Sequence, residues 1–340
     1  MVGPTTVKRQ MQRADTSSLL DVRCLSVALG PPGRAVQVVD EISLSLSPGR
    51  VLCVVGESGS GKSVTGLAIM GLLEPGRSAV TAERMMLDGT DLSRLTEAGW
   101  RALRGGRMAM VFQEPMTSLN PVFTVGEQII EALRVHTDLP RAAARQRAIA
   151  ALREVGIPAP ETRLAAYPHE LSGGMRQRAM IAMALVGEPA LLIADEPTTA
   201  LDVTVQAQIL TLLGELRTRR GMAILLITHN LGVVAETADD VAVMYAGRIV
   251  ERAPATVLFR DAQHPYTLAL LGAMPEGAER GRPLSPIPGR MPAPGTAPPG
   301  CRFAPRCPFA GDDCTMTPPL REMGAGHAVA CHRAPIEAVV

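Results

Sequence analysis

"VLCVVGESGSGKSVTGLAIMGLL" occupies residues 51–73, and its reading decides the fold. Five apolar residues closed by Gly56 form the continuous run expected of a buried strand. From residue 62 to 73 the apolar positions return at helical spacing. Between the two, "GESGSGKS" (56–63) fits G-x-x-x-x-G-K-[ST]. Glycines there let successive backbone N–H groups turn inward as an anion-binding nest, and the helix start adds its partial positive charge. The segment Gly56, Glu57, Ser58, Gly59, Ser60, Gly61, Lys62, Ser63 and Val64 is therefore expected to line a phosphate site. Lys62 reaches the β- and γ-phosphates and Ser63 ligates Mg²⁺.

Working outward, "LDVRCLSVAL" (20–29) and "VQVVDEISLSLS" (36–47) read as β-type runs about the turn "GPPGR". Further strands are expected at 108–113, 190–195, 223–228 and 241–251, and helices within 125–157 and over 175–187. Val205, Ile209, Leu212, Leu213 and Leu216 mark one face of another helix. Buried strands alternating with helices argue for an α/β domain with a largely parallel sheet. A helical block at about 115–188 interrupts that alternation as an inserted lobe. The expected organisation is a loose N-terminal tail over 1–18, a nucleotide-binding domain over 19–262, and an extension over 263–340. Pro and Gly dominate 281–300, and the cysteine-bearing end beyond them carries no amphipathic period.

The chain has 340 residues, 46% apolar and 20% charged, with a net charge of +1. Near-neutral charge gives no footprint for nucleic acid. No apolar run approaches the ~20 residues that cross a bilayer, and the first residues lack the apolar stretch of a signal peptide. The expected place is the cytoplasmic face of the inner membrane, held there by partners.

A nucleotide site needs a carboxylate for the metal. "LLIADEP" (191–197) puts Asp195 at the C-terminal end of a buried strand, where open α/β sheets bind ligands. Glu196 follows and points differently, placed to orient and deprotonate the attacking water.

"LSGGMRQR" (171–178) resembles the signature sequence of ATP-binding cassette (ABC) ATPases, with Met175 at the fifth position. In that family Ser172, Gly173 and Gly174 face the γ-phosphate held by the partner subunit, so ATP is sandwiched between two chains. The resemblance extends to Gln113 in "VFQEPMTSLNP" as the Q-loop residue that links phosphate and metal to the transmembrane subunit. It also covers Asp202 in "TALD" at the dimer seam, and His229 in "LLITHN" as the switch histidine on the γ-phosphate. It implies a RecA-like parallel core with an antiparallel β subdomain and an inserted helical subdomain. Two departures stand out. Asn230 replaces the usual Asp after the switch histidine. No aromatic precedes the first strand pair to stack adenine, leaving Leu29 or Val36 to pack on the base.

"HELSGGMRQR", "DEPTTALDVTVQAQIL", "ITHNLGVVAE", "VAVMYAGRIVE", "HPYTLALL" (264–271) and "PPGCRFAPRCPF" together resemble the ATP-binding subunits of di- and oligopeptide importers and related nickel importers. The type is the subunit usually lettered D. The resemblance implies a second, F-type ATPase, two permeases and an extracytoplasmic substrate-binding protein as partners. A nickel or other small-solute importer is the alternative, and after it a soluble ABC ATPase with a metal- or redox-sensing tail.

Six cysteines divide into two sets. Cys24 and Cys53 lie in apolar strands and read as core residues. Cys301, Cys307, Cys314 and Cys331 lack the C-x2-C knuckle of common zinc sites. Wider spacing suits a [4Fe–4S] cluster, whose irons each take one cysteine, and the family resemblance implies one. Zn²⁺ with His327 or His332 as substitute ligands, and four free thiols, remain open. A metal centre would staple a tail too poor in apolar pattern to fold unaided.

Overall fold

A computed structural model describes residues 18–113, 118–199, 201–274 and 287–336. The N-terminal tail through residue 17, parts of the Q-loop and D-loop stretches, and the first part of the Pro/Gly linker lie outside the described residues.

Two sheets carry the fold. β1 (Leu20–Leu29) and β2 (Val36–Leu46) pair antiparallel. β4 (Ser78–Thr81) and β5 (Arg84–Leu87) also pair with β1, and β6 (Thr90–Asp91) pairs with β5. Leu20, Val22, Leu25 and Val27 are buried on one side of β1, the period-2 pattern of a one-faced sheet. Cys24 breaks that period at a register shift, with φ of 49°, and is half-buried rather than in the core.

The larger sheet is built around β3 (Val51–Val55), β7 (Met108–Val111), β8 (Leu191–Asp195), β9 (Ala223–Thr228) and β10 (Asp240–Tyr245). These five run parallel in the order β10-β3-β9-β8-β7. β3, β7, β8 and β9 are buried throughout, since both faces are covered. One face packs on the small sheet, α1 (Lys62–Ile69) and α2 (Glu97–Leu103), and the other on helices. Cys53 sits in this core, where burial pushes its thiol up to about 12.

The helical lobe comprises α3 (Val125–Arg134), α4 (Arg141–Glu154), α5 (Pro160–Arg163) and α6 (Gly173–Leu185). Thr124 and Glu127 start α3 with a reciprocal capping box: Glu127 N donates to Thr124 Oγ1 at 3.2 Å and Thr124 N donates to Glu127 Oε2 at 2.9 Å. α7 (Val203–Arg220) buries Ile209, Leu212, Leu213 and Leu216 as its periodicity implies, while Val205 is half-buried. α8 (Leu231–Thr237) follows β9.

Two expectations need correction. The run 241–251 is not one strand. It is a hairpin of β10 and β11 (Arg248–Pro254), turned at Ala246 (φ 46°) and Gly247 (φ 88°). The cysteine-bearing end is also no appendix without a core. Beyond α9 (Ala255–Arg260) and α10 (Pro265–Gly272), β12 (Arg321–Gly324) and β13 (His327–Val329) extend the main sheet, with β13 antiparallel to β11. Phe303, Ala328, Val329 and Ile336 are buried. The tail takes its apolar surface from the rest of the protein, which no period within the tail reveals.

Candidate functional site

The C-terminal ends of β3, β9 and β8 stand side by side and bring three distant stretches to one edge. The loop from Gly56 to Gly61 leaves β3 and enters α1. A side chain at Gly56 would strike the Met244 carbonyl oxygen, which its Cβ would approach to 2.1 Å. Gly61 has φ of 105° and would meet the Val38 carbonyl at 2.9 Å, so both positions require glycine. Lys62, 4% exposed, donates from Nζ to the carbonyls of Gly56 (2.8 Å) and Glu57 (2.9 Å). Burial lowers its pKa, with Glu196, Asp195 and Glu57 opposing. Those carbonyl contacts hold the ammonium at the loop, from which phosphate oxygens can take it.

Ser63 Oγ donates to Asp195 Oδ1 at 2.9 Å, so the two expected Mg²⁺ ligands meet. Asp195 is 5% exposed; burial pushes its carboxyl up and the adjacent Glu196 adds to it, while Ser63 and Lys62 pull it down. A buried carboxylate of raised pKa beside a hydroxyl is a donor set that a hard cation stabilises.

Glu196 leaves β8 with φ of 46°, a left-handed turn that separates its carboxylate from that of Asp195. His229 Nδ1 lies 3.0 Å from its Oε1. A carboxylate only accepts, so Nδ1 carries the proton and Nε2 is left to face a substrate. Gln113 Nε2 (3.1 Å) and Thr199 Oγ1 (2.8 Å) donate to Oε2. Burial raises the Glu196 pKa, but the His229 and Thr199 hydrogen bonds outweigh it and hold the group below the ordinary glutamate value. Asp195, Glu196, Gln113, His229, Lys62 and Ser63 thus form one constellation.

The remaining expected residues stand apart. Ser172 Oγ accepts from Met175 N at 3.3 Å and caps the 13-residue α6, with Ser172 and Gly173 exposed. Asp202 Oδ1 accepts from Val205 N at 2.9 Å and caps α7, its side chain exposed. Both helix starts are exposed, each capped by its own first side chain. Asn230 Oδ1 accepts from Gly232 N (2.9 Å) and Val233 N (3.3 Å), so the departure from Asp keeps the cap on α8.

Three contributors escape motif reading. Gln177, 1% exposed, donates to the Pro197 carbonyl at 2.5 Å and ties the signature helix to the Asp195–Glu196 turn. Tyr266 OH accepts from the Glu57 N–H at 2.8 Å, so the "HPY" stretch supports the phosphate loop. Residues 291–297 cross the mouth of that loop: a cavity of about 190 Å³ is lined by Gln37, Val38, Gly59, Ala246, Pro292 and Pro294 among others. A Cβ on Gly295 would come within 2.7 Å of Val36 Cγ1, so Val36 is covered by the linker rather than free as a platform. The chance that prolines 230 residues later face this site has no local signal.

The four tail thiols lie within electrostatic reach of one another. Burial pushes Cys301, Cys307 (to about 11) and Cys331 up, and the neighbouring sulfurs add to it. Backbone N–H groups of Phe303, Phe309 and Arg333 point at these sulfurs, the last at 3.3 Å. His327 Nε2 is engaged with Glu251 at 2.8 Å and His332 Nε2 with the Met316 carbonyl at 3.1 Å, so the substitute ligands are turned to other partners. Among the described residues, no three or more His, Cys, Asp or Glu side chains are spaced to hold a single metal ion. The donors gathered there are four sulfurs, three of them facing backbone N–H groups.

Comparisons agree with this geometry. Residues 39–199 match the family model described as ABC transporter, and 250–314 that described as oligopeptide/dipeptide transporter, C-terminal region. The chain is 52% identical over 317 residues to the dipeptide transport ATP-binding protein DppD of Escherichia coli (strain K12), covering 93% of this chain and 96% of that one. It is 50% identical to a putative peptide import ATP-binding protein of Brucella melitensis, over 93% and 97% of the two chains. Among solved structures, cbiO1 of Clostridium perfringens, part of the ABC transporter complex cbiONQ, superposes with a TM-score of 0.60 at 27% identity, over 72% of this chain and 92% of that one. The cassette MJ0796, in a dimer bound to ADP and Pi, gives 0.61 at 24% identity, over 69% and 98%.

Proposed function

This chain belongs to the ABC transporter ATPases of peptide import, and from that premise we propose that Glu196 is the general base for ATP hydrolysis, gripped on both carboxylate oxygens by His229, Gln113 and Thr199. That grip is the observation that carries the reading. The loop 56–64 cradles the triphosphate by backbone N–H groups, and Lys62 turns from the Gly56 and Glu57 carbonyls onto the β- and γ-phosphates. Ser63, Asp195 and Gln113 would hold Mg²⁺, which supplies positive charge to the phosphates. Glu196, kept ionised by its hydrogen bonds, orients the water and accepts its proton. His229 Nε2 faces the γ-phosphate. The base and ribose sit in the cavity between Gln37–Val38 and the Pro292–Gly295 linker, in place of stacking on an aromatic.

Ser172, Gly173 and Gly174 bind the γ-phosphate of the partner cassette, and Asp202 lies at the seam. The exposed start of α6 supports this, since its N-terminal N–H groups and the Ser172 hydroxyl can meet an anion from outside the chain. The partner is a second, F-type ATPase, and two permeases and a substrate-binding protein complete the importer. Exposed Phe112, Val122 and Phe123 beside the Q-loop support a permease contact there. Among the described residues no helix is long and apolar enough to cross a membrane, so attachment to the inner membrane is through those permeases. The cassette takes in 19–262, with the lobe over 115–188, and the extension 263–340. In the extension Cys301, Cys307, Cys314 and Cys331 would be the residues to hold a [4Fe–4S] cluster, which would supply a cross-link between segments of the tail.

Glu196→Gln tests the reading. The variant should bind ATP with near-normal affinity and lose hydrolysis by about 10²-fold or more. Hydrolysis at the normal rate would remove Glu196 from the role.

A further inference from the structure

Arg306 stands immediately before Cys307 in the tail, yet its guanidinium ends at the phosphate loop, 249 residues away in sequence. Nη1 donates to both carboxylate oxygens of Glu57, at 3.0 and 3.2 Å. Its side chain is 5% exposed and that of Glu57 29%. Nε donates to the Pro288 carbonyl at 2.8 Å, and the guanidinium carbon lies 5.7 Å from the Tyr245 ring and 5.9 Å from that of Phe303. Tyr245, Tyr266 and Phe303 pack edge-on and tilted around it, with centroids 4.6–5.4 Å apart. Tyr266 also accepts the Glu57 N–H. One side of Glu57 is thus fixed by α10 and the other by the tail.

The charge at this place is the difficulty. Glu57 is the only acidic residue in the loop 56–64, which must receive a polyanion. An unpaired carboxylate there would repel the triphosphate across a partly desolvated gap, where charges act strongly. Arg306 offsets that charge at short range, with Nη1 donating to both carboxylate oxygens.

We propose that Arg306 is a positioning residue of the ATPase site, which neutralises Glu57 so that correct formation of the cysteine-bearing tail becomes a condition for tight nucleotide binding. The inference rests on the loop 56–64 as the triphosphate site. If that reading were wrong, the unaltered chain would bind no ATP; if only this one is wrong, the unaltered chain binds ATP and the variants do not follow the pattern below.

The experiment is an ATP titration of the full-length chain by calorimetry, on four variants beside the original. Arg306→Ala should weaken ATP binding by about tenfold or more, as a largely covered carboxylate loses its partner. Arg306→Lys should keep most of the affinity. Glu57→Gln, which retains an acceptor for Arg306 but removes the charge, should bind ATP at least as tightly as the original. The double variant Glu57→Gln/Arg306→Ala should recover to within about threefold of it, since nothing then needs neutralising. A merely structural arginine would leave the double variant as weak as Arg306→Ala, and that result overturns the proposal. So does normal affinity in Arg306→Ala, or a loss in Glu57→Gln. If Arg306→Ala does not fold, the Glu57→Gln and Arg306→Lys titrations decide alone.

Discussion

At residue scale the site turns on two adjacent acids made to differ. Asp195 ends a buried strand with a raised pKa, whereas Glu196, one peptide further and in a left-handed turn, is held ionised by Thr199 in its own turn and by Gln113 and His229 from two other stretches. Lys62 offers a handle on this geometry, because the chain has one other lysine, Lys8. Acylation by an amine-selective reagent should therefore fall on Lys62 in a peptide map of residues 18–336, and ATP should protect it. Equal labelling with and without ATP would argue that Lys62 does not meet phosphate. The identities of Lys62, Ser63, Asp195, Glu196 and His229 were all legible, because each sits at a strand end or a glycine-rich loop where few residue types serve. Thr199 and Gln177 were not, since a hydroxyl or amide that braces a catalytic group has no fixed spacing to it. Neither was the positive φ at Glu196, which depends on what surrounds the turn.

At the scale of elements, caps and hairpins set the precision of the site. Asn230 caps α8 directly after His229, so Asn230→Ala should cost about 1 kcal/mol of stability by denaturant titration, while Asn230→Asp should cost little. Equal losses would mean that the side chain does not act as a cap. His264 opens α10 in the same way: its Nδ1 accepts from Tyr266 N at 3.0 Å, and burial lowers its pKa to about 3. Glu251 faces it through the His264 N–H. The unfolded chain protonates this histidine below about pH 6.5 while the folded chain does not until about pH 3. The unfolded state therefore binds the extra proton across that window, and stability falls as pH drops through it. His264→Asn, which keeps a capping oxygen, should flatten the fall between about pH 6.5 and 5. Parallel pH curves for the two proteins would contradict this. Periodicity found the parallel strands and lobe helices but fused β10 and β11, because the Ala246–Gly247 turn is too short to interrupt an apolar run.

For the whole molecule, the tail is what the sequence concealed most. Its cysteines were visible, but Arg302 and Arg306 joining Asp40 and Glu57, and β13 joining the main sheet, are contacts across more than 70 residues. No local pattern encodes them. If the four thiols hold the cluster, protein purified without oxygen should contain about four iron and four acid-labile sulfide per chain, and exchange of Cys307 and Cys314 for serine should abolish both. Zinc alone would point to a different centre. The most direct trial of the central claim is ATP-driven peptide uptake by vesicles that hold the assembled importer, with the original chain and with Glu196→Gln. Uptake with the first and none with the second, while both bind ATP, is the result expected of an ATPase that powers peptide import. Uptake that persists with Glu196→Gln, or an original chain that hydrolyses ATP without moving peptide, would contradict it.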